Sequence, residues 1–211
     1  MGRMQLDWDL EALAARITAL PFRNKRRLIA LAGPPASGKS TLAEALAERV
    51  PNSCALPMDG FHLDNRILRE RGLSARKGAP ETFDVAGLAH LLRRLLREDS
   101  VVYPLFDRHL DCAVAGAGIA EASATTVIVE GNYLLLDAPE WRDLRPLWDF
   151  AVYVSVSSDV LRARLLKRWH DHGFADADAQ AKVAQNDMPN AQTICNALLT
   201  PDCTLHQKST P

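Results

Sequence analysis

Four cysteines, at positions 54, 112, 195 and 203, are all the chain carries, with no C-x-x-C pair and no histidine partner at zinc-ligand spacing. That scarcity excludes a disulfide framework and a zinc finger, and it fits a reduced compartment. No stretch approaches the ~20 consecutive apolar residues that span a bilayer, so no membrane partner is expected. An excess of one charge is also missing: 25 Lys and Arg face 26 Asp and Glu, which excludes a bulk positive field for nucleic acid. Asp7, Asp9 and Glu11 interrupt the N-terminus, so the basic start and apolar run of a signal peptide are absent and a cytoplasmic location is expected. There is no low-complexity tract, internal repeat or linker, and 211 residues predict one domain, 1–211.

The apolar pattern predicts strands alternating with helices. Leu6, Leu10, Leu13, Ile17 and Leu20 recur at helical spacing before Pro21, predicting an amphipathic helix over 1–21 that packs outside the core or on a second copy in a homodimer. Strands are expected at 28–32, 53–58, 101–105, 126–129, 151–156 and 203–205. Helices are expected over 41–50, after the N-cap Asp84, and over 159–172. This rhythm implies an α/β fold with a mostly parallel sheet covered on both faces.

One motif carries specific chemistry. Gly33, Gly38, Lys39 and Ser40 meet the pattern G-x-x-x-x-G-K-S/T, between an apolar strand and a helix as that pattern requires. In the segment Gly33, Pro34, Pro35, Ala36, Ser37, Gly38, Lys39, Ser40, Thr41, backbone N–H groups surround phosphates and the helix N-terminus adds its positive end. Lys39 reaches the outer phosphates and the Ser40 hydroxyl takes Mg²⁺, so ATP and Mg²⁺ are the expected cofactors. No Asn/Thr-Lys-x-Asp guanine motif follows a strand, and no L-S-G-G-Q segment is present.

Phosphoryl transfer needs a group that takes or steers the acceptor proton. Asp59 closes the second strand, and in a parallel sheet it faces the same crevice as the phosphate loop; the alternative is a simple Asp-Gly turn. Glu130 ends the strand at 126–129, where a carboxylate helps hold the metal, or else marks a solvated turn. Asp107 and Arg108 end another strand and are candidates for acceptor binding or for a surface ion pair. Arg164, Lys167 and Arg168 share one helix face, either as a lid region over 162–175 that closes on the triphosphate or as a solvated face. Arg76 and Lys77 are acceptor-side cations or loop charges, and His62 either meets the acceptor or is structural.

Together these segments resemble the phosphoribulokinase and uridine kinase superfamily, which includes bacterial pantothenate kinases. Met58-Asp59-Gly60-Phe61-His62 looks like its strand-ending acid motif, whose aspartate the resemblance makes the catalytic base. Arg76-Lys77-Gly78-Ala79-Pro80-Glu81-Thr82-Phe83-Asp84 is similar to its acceptor-side loop, which the resemblance extends over 62–83. Val129-Glu130-Gly131-Asn132-Tyr133 is similar to its Walker-B-like strand end, which adds Asn132 to the acceptor side. Asn186-Asp187-Met188-Pro189-Asn190-Ala191 looks like a late motif of the fructose-transport-system subgroup and has no assigned chemistry. The resemblance implies a three-layer α/β/α P-loop fold with a five-stranded sheet. It also implies a kinase that uses ATP and Mg²⁺ to phosphorylate a hydroxyl of a small metabolite such as a sugar, a nucleoside or a pantothenate-like molecule. A nucleotide-dependent regulator or slow ATPase is the competing expectation.

Overall fold

A computed structural model describes residues 4–7 and 9–206. Residues 1–3, 8 and 207–211, which fall within the expected 1–211 domain and the 1–21 helix, lie outside the described residues. The elements run β1 (Met4–Asp7), α1 (Leu10–Thr18), β2 (Arg27–Ala32), α2 (Lys39–Arg49), β3 (Ser53–Pro57), α3 (Asn65–Glu70) and α4 (Val85–Leu95). They continue with β4 (Val101–Asp107), β5 (Cys112–Ala120), β6 (Thr126–Gly131), β7 (Phe150–Ser155), α5 (Ser158–Asp171), α6 (Asp176–Lys182), α7 (Met188–Asn196) and β8 (Cys203–His206).

The main sheet is wholly parallel in the order β1-β8-β7-β2-β6-β3. Five strands form the expected parallel sheet, and β1 adds a sixth at its edge. Period-2 alternation along β2 divides the core in two. Leu28, Ala30 and Ala32 face α4, α7 and the two tryptophans Trp141 and Trp148. Ile29 and Leu31 face α1 and α2. A strand buried on both sides reads as an unbroken apolar run, which is why β2, β6 and β7 were legible from sequence.

Two expectations are corrected. The opening helix begins at Leu10, where the Asp9 side chain accepts a hydrogen bond from the Ala12 backbone N–H at 3.0 Å, and Leu6 belongs to β1. Its apolar face, Leu13, Ala14 and Ile17, packs on the chain's own core, the first of its two expected placements. The strand expected at 101–105 stays out of the main sheet: β4 pairs antiparallel with β5 as a separate two-stranded ribbon.

Candidate active site

The phosphate loop is shaped by two backbone constraints. A Cβ on Gly33 would lie 2.9 Å from the Val154 carbonyl of β7 and 2.9 Å from Ser37 Oγ, so only glycine lets the loop leave β2 this close to its neighbour. Ala36 and Gly38 both take positive φ, +60° and +86°, which turns the backbone around a concavity before α2 begins at Lys39. Two polar groups are held there with unused capacity. Ser37 Oγ is buried without a partner, and the buried Lys39 ammonium makes one bond, to the Pro34 carbonyl at 3.2 Å.

Glu130, at the end of β6, is buried and accepts a hydrogen bond from Ser40 Oγ at 3.0 Å. Burial pushes the Glu130 carboxyl up and the Lys39 ammonium down, and each charge opposes the other's shift. Asp59 sits in a short 3₁₀ turn, Met58–Phe61, that follows β3 directly. Its carboxylate is 3.6 Å from Arg108 Nη2. Gly60 serves a close approach here, because a Cβ would come 2.1 Å from the Pro104 carbonyl of β4. The ribbon thus presses against the turn and sends Arg108, in its β4–β5 connection, back to Asp59.

These groups share one cleft of about 310 Å³, lined beside the loop by Asp59, Arg108, Glu130, Asn132 and Arg168. Arg164, one turn earlier on α5, donates to the Ala36 carbonyl of the loop at 3.3 Å. Lys167 leaves this face and pairs with Asp171 at 2.8 Å. The expected trio of cations is therefore a pair, Arg164 and Arg168, spaced by one helical turn.

Other candidates fall outside this cleft. Asp107 accepts from the backbone N–H groups of His109 and Leu110 and caps the ribbon's turn, so its carboxylate is committed to the fold. Arg76 pairs with Glu81 at 3.3 Å. His62 stacks on Phe83 at 4.0 Å and Phe106 at 4.9 Å between ring centroids, with Nδ1 buried and unpartnered. Burial drives its pKa down to about 4, with the charges of Asp59 and Asp111 resisting and those of Lys77 and Arg108 assisting, so it is a neutral imidazole at pH 7.

The pattern of single residues missed the bonds that frame the segment around Lys77 and Gly78. Lys77 Nζ binds Asn65 Oδ1 and the Asp111 carbonyl, each at 2.8 Å, tying the segment around it to the ribbon's turn. The Tyr133 hydroxyl donates to the Gly78 carbonyl at 2.6 Å. These partners lie 12 to 55 residues from Lys77 or Gly78, and no local spacing signals them.

The donor set fits a nucleotide with a hard cation. Among the described residues no three His, Cys, Asp or Glu side chains gather as a metal cage. Ser40 and Glu130 instead offer two oxygens beside the loop, the sparse protein set Mg²⁺ uses when phosphates complete its shell.

A family model described as an AAA domain matches residues 29–184. "Uncharacterized protein YggC" of Escherichia coli K12 is 40% identical over 191 residues, 88% of this chain and 78% of that one. "Putative uridine kinase C227.14" of Schizosaccharomyces pombe is 36% identical over 93% of this chain and 90% of that one. The solved "putative fructose transport system kinase" of Silicibacter sp. TM1040 shares 46% identity and superposes with a TM-score of 0.89, covering 92% of this chain and 98% of that one. The chain belongs to the uridine kinase and phosphoribulokinase superfamily of P-loop kinases. The P-loop kinase fold carries nucleotide binding with it, and the loop, Lys39, Ser40 and Glu130 lie together on one cleft.

Proposed function

We propose that the protein transfers the γ-phosphoryl group of ATP to a hydroxyl of a small metabolite. The observation that carries this reading is the position of Asp59: a partly exposed carboxylate on the same cleft as Lys39, Ser40 and Glu130, aimed from a separate strand end. An NTPase that only hydrolyses needs no second wall with its own acid and cations, whereas an acceptor hydroxyl needs both.

Lys39 and the loop N–H groups hold the outer phosphates, and Ser40 and Glu130 would hold Mg²⁺, which when bound neutralises charge on the phosphates. Asp59 accepts the hydrogen bond of the acceptor hydroxyl and takes its proton as the oxygen attacks phosphorus. The bond to the leaving ADP oxygen breaks, and the charge gathered on the transferring group meets Arg168 and Arg108. His62 is not among the residues that line the cleft and, neutral and stacked on Phe83 and Phe106, takes no part in this step. Asn132 lines the same wall.

Names borne by the relatives set the order of trial for the acceptor: nucleosides and fructose first, then other sugars and pantothenate-like alcohols. The test is a phosphate-transfer screen with MgATP over these classes, detecting the phosphorylated product by mass. A product in one class with ADP formed in equal amount supports the reading. ATP consumption at one rate with every acceptor and with none refutes it.

A further inference from the structure

The segment Asn186-Asp187-Met188-Pro189-Asn190-Ala191 takes an unusual backbone form. Residues Val183–Asp187 make a π-helical turn between α6 and α7. Wide turns of this kind insert one residue into a helix and redirect a side chain, and they gather at functional sites. The redirected group is Asp187, a carboxylate only 8% exposed. It accepts a hydrogen bond from Trp169 Nε1 at 2.7 Å. Trp169 follows Arg168 on α5, and the Arg168 guanidinium lies 5.8 Å from the indole ring. The ring is gripped on other sides by Phe174, 4.9 Å away edge-on, and by Lys182 Nζ at 4.5 Å.

The preceding residue reaches the opposite wall. Asn186 Nδ2 donates to the Lys77 carbonyl at 3.1 Å, and Asn190 Nδ2 braces Asn186 Oδ1 at 3.3 Å. One wide turn therefore bonds both the helix carrying Arg168 and the acceptor-side segment.

We propose that Asp187 is a positioning residue for Arg168: by holding the Trp169 indole it sets the turn of α5 from which Arg168 faces the outer phosphates, in fixed relation to the acceptor wall that Asn186 grips. The role rests on the phosphoryl-transfer reading only for its purpose, since the geometry requires no more than a triphosphate in the cleft. A buried carboxylate is costly unless it is bonded, and burial indeed raises the Asp187 carboxyl, with the Trp169 bond and the charges of Arg168 and Lys182 opposing. The indole bond and those two charges are what offset that cost.

The test compares affinities for MgADP and for a non-hydrolysable MgATP analogue by titration calorimetry, so it needs no acceptor. The ratio reports contact with the terminal phosphate. Asp187→Ala is expected to lower the preference for the triphosphate about fivefold, as Arg168→Ala does, and to add nothing further in the Arg168→Ala background. Asp187→Asn, which keeps an oxygen for the indole, recovers most of the preference. Trp169→Phe, which removes the donor and keeps a ring, reproduces the loss if the alanine variant fails to fold. An unchanged ratio, or an equal loss with and without Arg168, overturns the proposal. Failure of every acceptor in the transfer screen would instead refute the kinase reading and leave this ratio standing.

Discussion

At the scale of single residues, the acid and the histidine beside it separate by environment. Asp59 keeps a third of its side chain in water with an arginine at 3.6 Å, so it is open to the cleft. Asp59→Asn is expected to leave MgATP affinity intact and to cut turnover by about 10²–10⁴-fold, read as kcat against the measured nucleotide Kd. His62 differs. Its pKa falls from 6.5 to about 4 on folding, so the folded state binds fewer protons than the unfolded chain between those values. Stability is complete above pH 6.5 and is lost as pH drops toward 4, by something on the order of 3 kcal/mol. His62→Phe should flatten that part of the melting-temperature profile between pH 7 and 4; a profile of unchanged slope would remove His62 from it. The loop residues Gly33 to Thr41 were legible because their chemistry depends on near neighbours in sequence. The neutrality of His62 was not, since Phe83 and Phe106 come from separate segments.

At the scale of elements, legibility followed composition and distance. Strand β5 reads Cys-Ala-Val-Ala-Gly-Ala-Gly-Ile-Ala, small residues with little strand preference, so β4 was legible but its partner in the ribbon was not. Strand β1 was absorbed into a helical spacing because its partner, β8, is at the far end of the chain, with Met4 opposite Cys203. The ribbon matters to the site through Gly60, whose bare Cα lets the Asp59 turn lie against Pro104. Gly60→Ala pushes the two apart. It should cost about 1–3 kcal/mol by chemical denaturation and lower turnover more than nucleotide affinity, since Asp59 moves while the phosphate loop does not. Equal losses in both would show that the ribbon does not set the acid's position.

At the scale of the molecule, one buried cation joins what the sheet leaves separate. Arg26, 1% exposed at the entry to β2, donates to the carbonyls of Leu95, Glu98, Asp99, Glu121 and Ala124, gathering the end of α4 and the approach to β6 around the strand that leads into the phosphate loop. Arg26→Leu strands those carbonyls and should destabilise the fold by about 3 kcal/mol or more, seen as a lower urea midpoint at unchanged m-value. In sequence Arg26 is one of several cations before an apolar run, and only tertiary structure sets it apart. The acceptor wall is secured in a different manner. Tyr133 and Asn186 hold it by the main-chain oxygens of Gly78 and Lys77, atoms that any residue would supply. Side chains on that wall other than that of Lys77 can therefore be exchanged while its frame stays put, which leaves the acceptor preference of the proposed kinase open to drift between otherwise similar proteins.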